Sequence, residues 1–435
     1  MQRWFKKRCQ PFKYLFMKKH FLKIFIATVA TTAFFSSCIK DTCRKTKTYT
    51  LLQPVYKNWS EVEQNIKSDN AQPIIHPGKL YIKGKYIFLN EINKGVHIID
   101  NTNPAAPQNI AFINIPGNID IAVKNDILYA DIYTRLLTID VANPLQSAVV
   151  KVTESVFPYR VYSNGFYADS NKIIVDWISK DTTVVEGCES PVIWGRGVFF
   201  MSDATVKSYN GAAVNVPGIS GSLSKFTITN NRLYTVDNGQ LKVFNIETAA
   251  NPLQVNTVNT QSWNAETIFP FKDKLFVGTQ TGMSIYNISN GDAPKFEGSF
   301  GHVRICDPVI ADDNYAYVTL WSESRCAGNI NELDVLDISN INQPSLVKSY
   351  NLKSPHGLSK DGNLLFVCDG LDGLKIYDAA NVKNLQLIKH LNGMDAFEVI
   401  AYNNKAIVVA VDGLYQYDYS NVLNIKLLSK ITIQK

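Results

Sequence analysis

Alternating apolar and polar residues recur along most of the chain, and one alternating segment returns at nearly constant spacing. Each copy of this segment ends in Asp or Asn, and the copies occupy residues 95–100, 136–140, 241–245, 283–287, 333–337, 374–378 and 414–418. The terminal Asp or Asn positions are 40, 105, 42, 50, 41 and 40 residues apart. Period-two alternation with many β-branched and aromatic residues predicts strands rather than helices.

Each repeat unit contains two further apolar runs before this segment and one after it. In the second unit the four predicted strands cover residues 120–124, 127–132, 136–141 and 148–153. Four short strands in a unit of about 40 residues are typical of a β-propeller blade. We therefore predict an all-β protein, a β-propeller of four-stranded blades, with seven blades favoured. An eighth stays open because residues 158–222 are either an insertion or a degenerate blade.

The Asp or Asn that ends each third strand has a predicted structural role. Side chains of Asp and Asn accept hydrogen bonds from the backbone N–H two residues further along, which stabilises a turn. In five of the units a proline follows within the next residues, at Pro104, Pro144, Pro252, Pro294 and Pro344. We expect the Asp or Asn, called here the anchor residue, to hold this turn.

The third strand with its Asn-Pro turn resembles the LVIVD repeat family, seen in lipoproteins of Bacteroidetes. The best matches are residues 95–104 (GVHIIDNTNP) and 333–340 (LDVLDISN), and the resemblance covers residues 74–432. The last two units depart from it, because Val382 and Val422 stand where the other units have proline. The resemblance implies a cell-surface propeller and implies no settled activity or catalytic residues.

The N-terminal segment has the basic and apolar regions of a secretory signal. Residues 1–37 contain eight Lys or Arg and no acid, and an apolar run covers residues 24–35. This run is too short to cross a bilayer, which needs about 20 residues. The sequence Ser36-Ser37-Cys38 resembles a bacterial lipobox, in which cleavage leaves a lipidated cysteine at the new N-terminus. We predict a lipoprotein signal over residues 1–37, with Met17 as an alternative start, and lipidation of Cys38.

Loss of this signal changes the charge of the protein. The full chain has 44 basic and 38 acidic residues, a net charge of +6. Without the eight basic residues of the signal, 36 remain against 38 acidic ones, a net charge of −2. No nucleic-acid partner is therefore expected. We expect attachment to the bacterial outer membrane or cell surface through the lipid on Cys38.

Residues 38–73 are expected to connect the lipidated cysteine to the propeller, which covers residues 74–435. This connection is predicted to be a tether followed by one short helix. The helix is predicted to begin with a capping box formed by Ser60 and Glu63 and to end near Lys67.

Export to an oxidising compartment permits disulfides. Cys306 and Cys326 fall at the same end of neighbouring strands in one unit, so we predict that they pair, with two free thiols as the alternative. Cys43 and Cys188 are a second, weaker candidate pair. Cys368 lies within a predicted strand and is expected to be buried.

Propeller topology places the irregular segments on one face. Second-to-third turns and blade-to-blade links share this face with the start of each innermost strand, and we call it the entry face. The segment 158–222 and the long loop 321–331 both belong to it, and loops on a rigid scaffold often carry function. We therefore predict that the entry face binds ligand, with candidate residues Lys79, Asp120, Lys225, Glu266, Asp307, His356, Glu398, Trp321 and Arg325.

Two interpretations of these candidates stay open. The charged residues either hold a polar ligand or cation, or pair with one another around the axis, and Trp321 either stacks on a sugar or packs. The sequence contains no His-x-His or His-Glu-x-x-His pair, no Gly-x-Ser-x-Gly elbow and no phosphate-binding glycine loop, so we predict no catalytic residues, metal site or cofactor.

Our leading functional prediction is a non-catalytic, lipid-anchored propeller that binds a protein or a glycan at the cell envelope. One alternative is a propeller hydrolase or lyase that uses the axial carboxylates with His356. Another is a structural subunit of an envelope complex.

Overall fold

The computed structural model describes residues 44–162, 166–187, 200–201, 222–223, 225–237, 239–262, 265–279, 281–301, 308–321 and 330–433. The chain divides into two compact units, residues 1–49 with 181–194 and residues 50–180 with 195–435. Within the smaller unit, the hydroxyl oxygens of Thr48 and Thr183 lie 3.1 Å apart. The sheets of the repeat units all belong to the larger unit.

Three elements precede the repeat units: β1 (Arg44–Lys57), α1 (Trp59–Glu63) and β2 (Ser68–Asp69). The short helix was predicted, but its capping box was placed wrongly. The Asn58 N–H donates to Glu61 Oε2 at 2.8 Å, so Asn58 and Glu61 form the box instead of Ser60 and Glu63. Asn caps a helix as well as Ser does, so the residue pattern alone did not separate the two frames. In the described parts of the chain, no helix has the length and apolarity to cross a membrane.

The first two repeat units form antiparallel sheets of consecutive strands. Blade 1 contains β3 (Pro77–Lys83), β4 (Tyr86–Glu91), β5 (Gly95–Asp100) and β6 (Gln108–Asn114), with β2 paired outside β6. Blade 2 contains β7 (Ile121–Lys124), β8 (Ile127–Ile132), β9 (Arg135–Asp140) and β10 (Ala148–Thr153). Between blades 2 and 3 come β11 (Arg160–Val161), β12 (Tyr167–Ala168), β13 (Ile173–Gly187) and β14 (Phe200–Met201).

The remaining five blades repeat the same order of four strands. Blade 3 contains β15 (Phe226–Thr229), β16 (Arg232–Asp237), β17 (Gln240–Asn245) and β18 (Leu253–Asn259). Blade 4 contains β19 (Ala265–Phe271), β20 (Lys274–Thr279), β21 (Gly282–Asn287) and β22 (Lys295–Gly301). Blade 5 contains β23 (Val309–Ala311), β24 (Tyr315–Leu320), β25 (Glu332–Asp337) and β26 (Ser345–Asn351). Blade 6 contains β27 (Leu358–Asp361), β28 (Leu364–Cys368), β29 (Leu374–Asp378) and β30 (Gln386–Leu391). Blade 7 contains β31 (Ala396–Tyr402), β32 (Lys405–Ala410), β33 (Gly413–Asp418) and β34 (Lys426–Thr432).

The seven-bladed prediction is confirmed. Seven sheets carry the four-strand order, and each has its first strand innermost. The described part of residues 158–222 forms no eighth sheet of this kind. There β11 pairs only with β12, and β14 pairs with β1 at Thr50–Met201 and Leu51–Phe200. An inserted segment, rather than a degenerate blade, therefore joins blades 2 and 3.

The anchor residues have the structural role that the sequence predicted. All seven accept a hydrogen bond from the backbone N–H two residues further along, at 2.8–2.9 Å, and they are Asp100, Asp140, Asn245, Asn287, Asp337, Asp378 and Asp418. The residue after each anchor donates its N–H to the first-to-second turn of the same blade, at 2.7–3.0 Å. These bonds bring the third-to-fourth link and the first-to-second turn to one face, opposite the entry face.

The outermost strand of every blade contains a register shift where it pairs with the third strand. In blade 6, for example, Ile376 pairs with Lys389 whereas Tyr377 pairs with Leu387, so Ile388 is an extra residue. Such a bulge bends the strand and increases its twist. The bulge recurs at the same place in all seven sheets.

Each blade is built from one continuous stretch of chain. The ring is therefore closed between blades 7 and 1 by side-chain packing. Leu80, Ile87 and Leu89 of blade 1 form one buried cluster with Ile407 and Val409 of blade 7. Two hydrogen bonds between the side-chain amides of Asn101 and Gln416 join the same blades at 3.0 and 2.7 Å. Because each blade is covered on both faces by its neighbours, the middle strands are buried along most of their length.

Candidate functional site

Three of the predicted axial residues come together at the start of the innermost strands. Lys79 of β3, Asp120 just before β7 and Glu398 of β31 are 3%, 2% and 1% exposed. The carboxylates of Asp120 and Glu398 each act to raise the pKa of Lys79, so the three charged groups are neighbours. The sequence analysis placed all three at the starts of innermost strands, and in the structure they are buried instead of lining an open mouth.

A short stretch of the chain itself binds these charges. Lys79 Nζ donates to the carbonyl of Leu223 at 2.8 Å, and Asp120 Oδ2 accepts the N–H of Lys225 at 2.8 Å. Glu398 accepts backbone hydrogen bonds from Ser222 and Leu223. The hydroxyl of Ser222 accepts the N–H of Leu358, from blade 6, at 2.8 Å.

Ser222, Leu223 and Lys225, called here the axial segment, therefore contact residues at the innermost strands of blades 1, 2, 6 and 7. Only a segment at the axis of the ring can reach so many innermost strands. The charged residues around this end of the axis thus hold protein backbone in place.

Burial shifts the protonation of all three axial groups toward their neutral forms. Desolvation raises the pKa of Asp120 to about 7 and that of Glu398 to about 8, although Lys79 opposes both shifts. The same desolvation lowers the pKa of Lys79 well below its usual value, against the pull of both carboxylates. The cluster therefore exchanges protons near neutral pH while it holds the axial segment.

The other predicted residues lie apart from this cluster. Lys225 Nζ lies 3.7 Å from Oδ1 of Asp237 in its own blade. Glu266 is half-buried near the start of β19. The ring of Trp321 meets that of His356 edge-on, with centroids 4.2 Å apart, and burial lowers the pKa of His356 to about 4. His356 is thus neutral at pH 7 and packs against an aromatic ring.

Several predictions concern residues outside the described parts of the chain. They are Asp307 and Arg325 of the entry face, Cys38 with the proposed lipid, and the cysteines of both proposed disulfides, Cys43, Cys188, Cys306 and Cys326. All of these stay predictions. Cys368 is described and is a free, fully buried thiol, as expected, and burial raises its pKa well above the usual value.

The sequence analysis missed a set of carboxylates at the ends of second strands. Glu91 accepts the N–H groups of Ile75 and His76, and Asp369 accepts those of Lys353 and Ser354. In each case the carboxylate fixes the link that enters the innermost strand of its own blade. The glycine after Asp369 indicates only a turn, and the acceptor role needs a partner segment distant in sequence.

Asp131 has the same position in blade 2 and the densest set of bonds. It accepts the N–H groups of Ile119 and Asp120 at 2.7 Å and the side-chain amide of Asn118 at 2.8 Å. Its second oxygen lies 3.3 Å from Arg160 at the start of the inserted segment. Asp131 therefore links the axial cluster to the insertion.

One cleft opens on the entry face between blades 2 and 3, with a volume of about 300 Å³. One wall is the link Val156–Pro158 that leaves blade 2. The other wall consists of Asp237, Gln240 and Lys242 from the second and third strands of blade 3. This cleft contains none of the predicted site residues, although Asp237 contacts Lys225.

Aromatic side chains gather on the inserted segment beside this cleft. Trp177 of β13 meets Tyr162 and Phe166 edge-on, with ring centroids 5.0 and 6.0 Å apart. Tyr159 is 63% exposed and Tyr167 is 43% exposed. Across the part of the chain that the structure describes, no three His, Cys, Asp or Glu residues are grouped as a metal would need.

Three solved structures resemble this arrangement of strands. The periplasmic gluconolactonase PpgL of Pseudomonas aeruginosa matches with a TM-score of 0.51 and 10% identity, over 89% of this chain and 97% of that chain. BamB of Moraxella catarrhalis matches with a TM-score of 0.45 and 9% identity, over 87% and 92%. The computationally designed protein Ika8 gives 0.49 and 10%, over 83% and 90%. At such identities the likeness concerns the fold alone.

The closed ring of seven four-stranded sheets around a charged axis defines a β-propeller. The model of the LVIVD repeat matches residues 78–112 and 305–352, which are centred on blades 1 and 5. These ranges include both segments that best resembled the family in the sequence. The protein is therefore a seven-bladed β-propeller with LVIVD repeats over these two ranges. No curated protein matches its sequence.

Proposed function

We propose that this protein is a non-catalytic binding module that presents the entry face of its propeller to a protein or a glycan. The proposal rests on the burial and the hydrogen bonds of the three axial charged groups. Lys79, Asp120 and Glu398 are buried and hydrogen-bonded to the axial segment, so their chemistry serves the fold. The exposed features of the same face are the cleft between blades 2 and 3 and the aromatic side chains of the insertion.

The catalytic alternative requires carboxylates around an open pocket together with His356. Among the described residues, His356 is instead held by Trp321, and its backbone N–H donates to the carbonyl of Cys368 at 2.8 Å. Asp120 and Glu398 accept backbone N–H groups of the axial segment and of Ile121 and Val399. These contacts favour binding over hydrolysis.

We further propose that the module is displayed at the bacterial cell envelope by a lipid on Cys38, which would follow a cleaved signal over residues 1–37. The support is the eight basic residues, the apolar run and the Ser-Ser-Cys sequence of that segment. Growth with a labelled fatty acid tests this directly. The wild-type protein should take up label and Cys38→Ala should not, and equal labelling of both would refute the anchor.

Retention of envelope proteins and of arrayed glycans on the purified protein tests the binding role. The entry-face variant Tyr159→Arg should reduce retention, because Tyr159 is 63% exposed beside the cleft. The matched control is Tyr402→Arg, since Tyr402 is 42% exposed at the end of β31 on the opposite face. Retention of nothing by the wild type, or loss in the control alone, would refute the proposal.

A further inference from the structure

The cleft between blades 2 and 3 has the size of a small ligand site and two unlike walls. Its volume of about 300 Å³ is at the lower end of the range for ligand pockets, about 300–1,000 Å³. Val156, Phe157 and Pro158 supply an apolar wall, whereas Asp237, Gln240 and Lys242 supply hydrogen-bonding groups. A ligand that fits must therefore be apolar on one side and polar on the other.

The charges of the polar wall are already compensated within the protein. Asp237 Oδ1 lies 3.7 Å from Lys225 Nζ. Lys242 Nζ donates a hydrogen bond to the carbonyl of Val156, and burial lowers the pKa of Lys242. Since Asp237 and Lys242 have opposite charges and act on each other, this wall has no charge of a single sign to attract an ion, and a neutral ligand with many hydroxyl groups is favoured.

The apolar wall is rigid and continues into an exposed aromatic ring. Phe157 stacks on Phe226 of blade 3 with centroids 5.5 Å apart and planes at 11°. Tyr159 follows two residues later and is 63% exposed. A pyranose ring has C–H groups on its faces and hydroxyls around its rim, and the side-chain amide of Gln240 can both donate to and accept from such hydroxyls.

We propose that this cleft binds one neutral sugar unit of a glycan, with the C–H face of the sugar against the Phe157 wall and its hydroxyls toward Gln240 and Asp237. The inference rests on the proposed binding role and narrows it to one site and one ligand class. It assigns the polar contacts to blade 3, where the sequence had indicated no candidate except Lys225.

An array of neutral oligosaccharides of glucose, galactose, mannose and N-acetylglucosamine, followed by calorimetric titration of the best binder, tests the inference. Gln240→Ala and Tyr159→Ala should each weaken binding about tenfold, a loss typical of one good contact. The matched controls Gln386→Ala and Tyr402→Ala replace exposed residues of the same types on the opposite face and should bind like the wild type.

Four outcomes would overturn the inference. Binding of acidic glycans without neutral ones would contradict the charge argument, and sugar binding unaffected by both entry-face variants would place the site elsewhere. Retention of a specific protein through the entry face, with no sugar bound, would leave the binding role standing and refute the sugar site. Retention of neither would refute both proposals.

Discussion

Replacement of Lys79 by Met tests the interpretation of the axial cluster. Lys79 is 3% exposed, and the carboxylates of Asp120 and Glu398 both act electrostatically on its ammonium. Met has a similar length, is apolar and adapts well to a packed interior. The change therefore removes the charge and the hydrogen bond to Leu223 while it largely preserves the packing.

The cost of this substitution should depend on pH. At pH 8 the carboxyl of Asp120 is mostly ionised and that of Glu398 is about half ionised, since their pKa values are about 7 and 8. Removing one partner of a buried ion pair costs about 3–5 kcal/mol. At pH 5 both carboxyls are protonated, and the loss approaches that of one hydrogen bond, about 1 kcal/mol.

Urea unfolding followed by tryptophan fluorescence at pH 5 and pH 8 measures this difference. The double variant Lys79→Met with Glu398→Gln should recover part of the stability lost at pH 8, because it removes one carboxylate that Lys79 neutralised. A loss that is equal at the two pH values, or below about 1 kcal/mol at pH 8, would refute the proposed charge pairing.

Three further predictions follow from other contacts. In the wild type, protonation of Asp120 and Glu398 stabilises the fold fully below about pH 4. Urea titrations should show that this stability is lost as the pH rises through 7 to 8, by at most about 1.4 kcal/mol per pH unit for each proton. Asn245→Ala removes the bond to the Glu247 N–H, 2.9 Å long, and should cost about 0.5–1.5 kcal/mol in urea unfolding. Ile407→Ala opens a cavity where blade 7 meets blade 1 and should cost about 2–5 kcal/mol in the same assay.

Each of these predictions has a matched control. The pH dependence should flatten when Asp120→Asn and Glu398→Gln are combined, and an unchanged slope would contradict the assignment. Asn245→Asp keeps the acceptor found at the same position of five other blades and should lose little stability. Leu423→Ala, at a site 88% exposed, should be nearly silent, and a loss equal to that of Ile407→Ala would rule out the packing explanation.

Local patterns were sufficient for most of the architecture. Strand alternation and a spacing near 40 residues predicted four-stranded blades, because each blade is one continuous stretch whose hydrogen bonds are made within about 40 residues. The anchor residues were equally accessible, since Asp100 and its six counterparts bond to an N–H only two residues away. The start of helix α1 was misplaced because Asn58 and Ser60 are both good N-caps.

The site was harder to predict because its contacts join distant parts of the chain. From propeller topology, Lys79, Asp120 and Glu398 were expected at the starts of innermost strands, at one end of the axis. The nearby sequence Ser222-Leu223-Ser224-Lys225 has no pattern that would mark it as their partner. Glu91 and Asp369 were likewise missed, because an acceptor of backbone N–H groups looks like any other acidic residue.

The sequence by itself determined the fold class, the repeat and the role of the anchor residues. These features depend on interactions within one blade, where short-range patterns are sufficient. Only the tertiary structure decided what the axial charges do, because Lys79 binds Leu223 across 144 positions of sequence. It also decided where a cleft opens, since the two walls at Phe157 and Gln240 come from different blades.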